Sequence, residues 1–332
     1  MGKMSVLHCV RFQPSSCKNA LYQGTASAVP NQPKHARALA PAECVIMQRT
    51  LKLLLLSLFL TFAAAAASAQ VRLAHLSDLH IGLARAPHAA DNLRQAVRII
   101  NDRGVDAVLV SGDIGETPSD WDQARAILSH CKAPGYYIPG TRDLHSNDFD
   151  RYRKIFGDDF YRVRIKNVVI YGLDSEAFGN YDSYDAAKIV LPPSSDEARQ
   201  NKTRMLQWME ESIDKPMPRD KDHDQDADDH VVVIGMQHIP IARAGNFPPD
   251  ARPYWTIPEA DRQREVELLK RLGIHHMLVG HWHHRNVFDY GGITWHVGTA
   301  TSWLTWGGDL GFDIDTITPN GDFKSEFVPL GR

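Results

Sequence analysis

From Val71 to Val328 the chain keeps to one pattern, in which short apolar runs alternate with longer stretches that have helical spacing. Runs of roughly 4–8 aliphatic residues have the length of buried strands, and apolar positions three and four apart over roughly 10 residues or more make amphipathic helices. Strands are expected at residues 71–77, 105–111, 135–138, 162–165, 168–173, 231–235 and 276–279. Helices are expected at residues 90–103, 119–131, 149–156, 196–213 and 259–272. The C-terminal part reads as all strand, at 286–290, 293–297, 311–317 and 322–328, with Gly291-Gly292 and Asn320-Gly321 as turns. Such alternation predicts an α/β layered fold in one domain. In sheets of that kind, ligands gather at the C-terminal ends of the strands.

Five polar clusters stand at those ends. They are Asp78-Leu79-His80, Gly112-Asp113, Gly140-Thr141-Arg142-Asp143, Gln237-His238 and Gly280-His281-Trp282-His283. Each alone is an ordinary loop feature. Together, in this order and each after a strand, they point to a shared cavity lined by carboxylates and imidazoles, which suit Mn, Fe or Zn.

This order resembles the calcineurin-like metallophosphoesterase superfamily, whose pattern is D-x-H, G-D, G-N-H-[DE], H and G-H-x-H. The likeness spans residues 70–332, and within it QHIP at 237–240, GHWHHRN at 280–286 and GTATS at 298–302 look like the calcineurin-like phosphoesterase domain-containing protein phosphatases. The resemblance implies a four-layer α/β/β/α sandwich of two mixed sheets flanked by helices. It implies two divalent metal ions, one held by Asp78, His80, Asp113 and His283, and a second held by Asp113, His238 and His281, with Thr141 in the place of the usual asparagine. Hydrolysis of a phosphate ester by a metal-bridging hydroxide is the implied reaction, with Asp113, Arg142 and Asp143 as the catalytic set.

One motif departs from the family. The chain has Gly140-Thr141-Arg142-Asp143 where Gly-Asn-His-Asp is usual. A threonine hydroxyl is a weaker ligand than an amide oxygen, so the second metal is expected to bind weakly. A guanidinium holds its proton to above about pH 12, so Arg142 can neutralise a phosphoryl group but not act as an acid. Esters with good leaving groups are therefore expected to react best. His145 is a candidate substitute acid. Tyr254, Trp255, Trp282, Trp303 and Trp306 either wall the pocket or pack the core, and His275, His276, His284 and His296 are expected to be structural. The altered motif leaves a second reading open: a degenerate homologue that binds a phosphorylated ligand with little turnover. A purely structural role for a retained fold is a third.

Charge and the N-terminus set the surroundings. Seven of the 37 Lys/Arg and one of the 40 Asp/Glu precede Gln70, so the remainder carries 30 basic against 39 acidic residues. An acidic body argues against nucleic acid as a structural partner and leaves a small phosphate ester or a phosphoprotein as substrate. Residues 47–69 read as a signal peptide, with Arg49 and Lys52, an uncharged run at 53–69 and Ala67-Ser68-Ala69 for cleavage. A periplasmic or secreted protein is expected, with membrane contact only if the leader stays uncleaved. Residues 1–46 are expected to be an extension upstream of the true start, or disordered. Cys131 alone of four cysteines follows the leader, and a small buried apolar role is expected of it. The charged stretch at 215–230 is expected to be a solvated loop.

Overall fold

The computed structural model describes Lys52 and residues 70–144, 149–181, 190–215 and 231–331. The extension at 1–46, the leader at 47–69 apart from Lys52, the stretch 216–230 and His145 lie outside the described residues. The chain divides into two units, Met1–Leu60 and Thr61–Arg332, and both sheets belong to the second. Among the described residues no helix is long and apolar enough to cross a membrane.

Among the described residues, eleven strands form two mixed sheets. The first holds β1 (Val71–Leu76), β2 (Ala107–Ser111), β3 (Gly135–Ile138), β10 (Gly311–Ile317) and β11 (Phe323–Pro329), in the order β11-β10-β1-β2-β3. The second holds β4 (Tyr161–Ile165), β5 (Val168–Gly172), β6 (Val232–Met236), β7 (Ile274–Val279), β8 (Asn286–Tyr290) and β9 (Ile293–Val297), in the order β4-β5-β6-β7-β9-β8. β1, β2 and β3 run parallel, as do β5, β6, β7 and β9.

The central strands are apolar on both faces because both faces are covered. Side chains alternate across a strand, so Leu73, Leu109, Ile170 and Met236 meet between the sheets. Their neighbours Ala74, Val108 and Val110 turn instead toward α1 (Ala89–Arg103), α2 (Pro118–Leu128) and α3 (Phe149–Phe156). On the other side Val169 and Met277 face α4 (Asp196–Ile213) and α5 (Glu259–Arg271). The three resulting cores are the three seams of a four-layer α/β/β/α sandwich.

The helices begin and end where their sequences dictate. α1 buries Leu93, Ala96, Val97 and Ile100, one stripe at helical spacing, and stops at Gly104, whose left-handed backbone (φ 61°) returns its N–H to Ile100. Thr117 caps α2, and Ser195 caps α4 through the amide of Ala198. The β8–β9 hairpin closes on Gly291 and Gly292, both at positive φ, as a two-residue turn of its hand needs. Three boundaries differ from expectation by two residues or more, the first being that of β2, which starts at Ala107 rather than 105. α2 ends at Leu128 rather than 131, which leaves Cys131 half-buried beyond it against the first core. β7 starts at Ile274, ahead of the expected 276, because Ile274 pairs with Val233 before His276 continues the ladder.

Candidate metal centre

The parallel pairing of β1 and β2 outlasts the strands themselves. Asp78 N–H donates to Gly112 O (3.1 Å), His80 N–H to Asp113 O (2.8 Å) and Ile81 N–H to Ile114 O (3.1 Å). To keep this ladder, Asp78, His80 and Asp113 adopt left-handed backbone, with φ of 53°, 44° and 53°. His281 and His283 do the same after β7, at 69° and 51°. Such backbone costs a non-glycine residue about 1 kcal/mol or more. Five of the six non-glycine residues with positive φ among the described ones are therefore gathered at one spot. Two glycines let the sheets' loops meet there. A Cβ on Gly112 (φ 92°) would stand 2.7 Å from both Gly140 Cα and His238 Nδ1, and one on Gly140 would run into Asp113.

One donor atom from each of Asp78, His80, Asp113 and His283 falls within 4.8 Å of the others, and all four residues are buried. His283 Nε2 lies 3.1 Å from Asp78 Oδ1, and His80 Nε2 lies 3.3 Å from Asp113 Oδ2. The outer ring nitrogens fix the tautomers. His283 Nδ1 donates to Trp303 O (2.9 Å) and His80 Nδ1 to the Glu116 carboxylate (3.3 Å). Both Nε2 atoms then carry lone pairs, yet they face each other at 3.2 Å. Two lone pairs at that separation repel unless a cation lies between them. Asp78 Oδ1, buried beside them, has no hydrogen-bond partner. The donor set fits a divalent metal ion.

A second group adjoins the first through Asp113. His238 Nδ1 donates to Ser111 O (2.7 Å), so the neutral ring has its lone pair on Nε2, which is buried without a partner 3.6 Å from Asp113 Oδ1. His281 Nε2 donates to Tyr254 O (2.8 Å), leaving its lone pair on Nδ1, and its ring meets that of His238 edge-on at 5.1 Å. Thr141 is buried next to them, its hydroxyl donating to Glu176 Oε1 (3.4 Å). The Arg142 amide donates to Asp113 Oδ1 (2.7 Å), while its guanidinium stands 3.9 Å from Glu116. Asp143, expected in the catalytic set, is placed elsewhere. Its carboxylate accepts from the amides of Gly140, Ile114 and Gly115 and from Trp121 Nε1, at 2.9–3.2 Å, and it does not line the cavity. The amides crowd around it because it closes the loop that carries Asp113.

Charge in this pocket is strongly perturbed. Burial opposes ionisation of Asp78 and Asp113, but His283 beside the first and His238 and His80 beside the second hold both carboxyls below their ordinary range. Burial also disfavours the charged form of His238, yet Asp113 raises it to about 10, so a cation binding there displaces a proton. Burial, with His238 adding, drives His281 down to about 3 and keeps it neutral.

A cavity of about 150 Å³ opens over the cluster. His80, Asp113, His281 and His283 reach it, with Asp78 and His238 packed behind, and its walls are Arg85, Arg142, Tyr254, Trp255 and Trp303. Trp282 and Trp306 are not in the walls: Trp282 is fully buried with its N–H on Trp255 O, and Trp306 packs on Trp255 and Phe247. His276 and His296 stack on Phe323, and His284 on Phe247, away from the cluster. Sequence reasoning missed three charged residues here. Glu116 orients His80, Arg85 lies over the Trp303 ring at 4.8 Å, and Glu176 meets Thr141. None has a motif. Only Glu116, three residues after Asp113, was near enough to one to be suspected.

The calcineurin-like phosphoesterase family model matches residues 71–285. The chain belongs to that family. It is a metallophosphoesterase, a class of hydrolases acting on phosphate esters, with a buried Asp-His-Asp-His cluster for divalent metal. No curated protein matches the sequence. Among solved structures, the chain is similar to GAP50, described as the anchor in the inner membrane complex of Plasmodium, at 14% identity over 79% of this chain and 85% of that one, with a TM-score of 0.51. It is similar to a dimetal phosphatase from Danio rerio at 16% identity, over 79% and 99% of the two chains, with a TM-score of 0.49. A purple acid phosphatase from yellow lupin (Lupinus luteus) seeds gives 13% identity over 78% of this chain and 51% of that one, with a TM-score of 0.49. The likeness to GAP50, at 14% identity, speaks for the fold alone.

Proposed function

We propose that this member of the family is an exported phosphohydrolase that holds two divalent cations and cleaves phosphate esters with good leaving groups. The observation that carries this reading is the facing pair of imidazole lone pairs on His80 and His283, 3.2 Å apart, under a cavity that presents Arg85 and Arg142. Asp78, His80, Asp113 and His283 would hold one cation, and Asp113, Thr141, His238 and His281 the other, as Mn, Fe or Zn. When bound, such ions polarise a phosphoryl group and lower the pKa of water, which makes a nucleophile at neutral pH.

The chain's own residues bind and orient. Arg142, at the cavity wall beside Glu116, can pair with two phosphoryl oxygens through its planar fork. A guanidinium does not release its proton in a protein, so Arg142 neutralises charge on a departing oxygen without handing one over. Arg85, lying on Trp303, offers a second positive charge toward an ester arm. Glu116, Ser111 and the carbonyls of Tyr254 and Trp303 hold four imidazoles in the tautomers that metal binding needs. Asp143 acts as a positioning residue, closing the loop that carries Asp113. A cavity of about 150 Å³ suits a phosphoryl group with a small or aromatic arm, free or on a protein side chain. The leader at 47–69 supports work in the periplasm or outside the cell.

A second reading has its own observation. The Thr141 hydroxyl is engaged by Glu176, and Arg142 offers no proton, which supports a member that binds a phosphorylated ligand with little turnover. Hydrolysis of nitrophenyl phosphate and its bis-ester by the full chain with Mn²⁺, beside Asp113→Ala, separates the two. Metal-dependent turnover lost in the variant supports the phosphohydrolase. Turnover no better than the variant's across Mn, Fe and Zn overturns it in favour of binding.

A further inference from the structure

Arg85 is a cation that the fold sets at the cavity without a carboxylate beside it. The turn that carries it is tied to the cluster. Leu83 N–H donates to His80 O (3.1 Å), Ala86 N–H to Leu83 O (2.8 Å), and Ala89 N–H to Ala86 O (3.0 Å) as α1 begins. Ala86 is buried and Leu83 packs on the first core, so the backbone on both sides of Arg85 is held. The Arg85 side chain stays exposed and reaches the cavity, where its guanidinium lies 4.8 Å from the centre of the Trp303 ring. Among the described residues no carboxylate pairs with it. The other two charged residues of the cavity have partners: Arg142 stands 3.9 Å from Glu116, and Asp113 meets His80 and His238.

Trp303 sets the distance between Arg85 and the cluster. Its carbonyl accepts from His283 Nδ1 (2.9 Å), and its ring centre lies 4.4 Å from that of His283 and 6.2 Å from that of His80. Arg85 is therefore no farther from His283 than the two contacts of one indole allow. A guanidinium over an aromatic face is held there by attraction to the ring. Its planar fork is already shaped for a carboxylate or phosphate and takes two parallel hydrogen bonds from it. Arg142 serves a different place, since its own amide is bonded to Asp113 Oδ1 (2.7 Å).

We propose that Arg85 is a specificity-determining residue that selects esters whose short or aromatic arm ends in a second oxyanion, a carboxylate or phosphate. The reacting phosphoryl group lies at the cluster beside Arg142, the arm runs along Trp303, and its far end pairs with Arg85. This rests on the phosphate-ester reading above and names the class of ester within it.

Binding is the readout, so the test does not depend on turnover. The probes are phenylphosphonate, 4-carboxyphenylphosphonate and 1,4-phenylenediphosphonate, which have carbon–phosphorus bonds in place of the ester. Each is titrated calorimetrically into the Mn²⁺-loaded full chain and into Arg85→Gln, at about 0.15 M salt to screen charges that are not in contact. The variant is expected to bind the two ligands with charged arms about tenfold more weakly than wild type, the low end for a hydrogen bond to a charged group because the site is open to water. Phenylphosphonate should bind both proteins within twofold, which also reports an intact cavity. Whichever charged arm loses more names the oxyanion. Equal loss on all three ligands overturns the proposal, because Arg85 then grips the phosphoryl group common to them, and no loss on any of them overturns it too. In both cases the phosphate-ester reading stands. Wild type that binds none of the three in the presence of Mn²⁺ overturns that reading and this inference with it.

Discussion

Glu116 offers the sharpest test of how the pocket prepares its imidazoles, since it touches the cluster without belonging to it. Its carboxylate lies 3.3 Å from His80 Nδ1 and its side chain is 18% exposed. Losing a partner of this kind typically lowers metal affinity by 10–100-fold. The contact is longer than the 2.7–2.9 Å usual for a charge-assisted hydrogen bond and partly open to water, so the lower end applies. Glu116→Leu should weaken the ion at Asp78, His80, Asp113 and His283 about tenfold, or about 1.4 kcal/mol. Glu116→Gln keeps an acceptor for Nδ1–H and loses only the charge, so it should cost less, about threefold. Because Glu116 also stands 3.9 Å from Arg142, activity would mix two effects. The assay is therefore a competition titration with a metal-binding dye. A thermal scan with and without Mn²⁺ should show the leucine variant unfolding roughly 3–5 °C lower only when loaded. Affinity within twofold of wild type in Glu116→Leu would refute the claim that the tautomer of His80 is fixed by this contact.

The same geometry sets three further outcomes. Saturating Mn²⁺ at about 100 times its dissociation constant should stabilise the fold by about 2.7 kcal/mol per site, and chelator should reverse the shift. A melting temperature that Mn²⁺, Zn²⁺ and Fe²⁺ all leave in place would count against metal relieving the His80–His283 confrontation. Arg142→His should raise turnover of alkyl phosphates by about 10²-fold, since it introduces a proton donor, and change nitrophenyl phosphate little. Equal effects on both esters would show that protonation does not limit the slow one. Glu265 is fully buried, and burial pushes its carboxyl up from 4.5 to about 8. Between those values the unfolded chain is ionised while the folded one keeps the proton, so this group's contribution to stability falls as pH rises. Glu265→Gln should match wild type near pH 4.5 and exceed it by roughly 3–5 kcal/mol at pH 8 in urea unfolding. A gap that does not widen with pH would contradict the assignment.

The sequence by itself settled what depends on local order. Alternation of period and length placed the strands, and α4 at Asp196–Ile213, β8, β9 and β10 coincide with expectation, because caps, turns and apolar stripes are written within a few residues of where they act. That the five polar clusters share a cavity was legible for the same reason, since each follows a strand and parallel strands bring their C-terminal ends to one rim, while the grouping of Asp78, His80, Asp113 and His283 was implied by the family resemblance. What lay beyond was decided by contacts between distant segments. Asp143 looked catalytic from its motif, but only the fold shows Ile114, Gly115 and Trp121 closing around its carboxylate. Which nitrogen of each histidine faces inward depends on carbonyls such as Trp303 O, 20 residues from His283, and Ser111 O, 127 residues from His238. Glu116, Arg85 and Glu176 carry no motif because their part in the site comes from position alone. A charge at a loop end is common in sequence, and it acquires a role only when packing buries it beside opposite or unpaired partners.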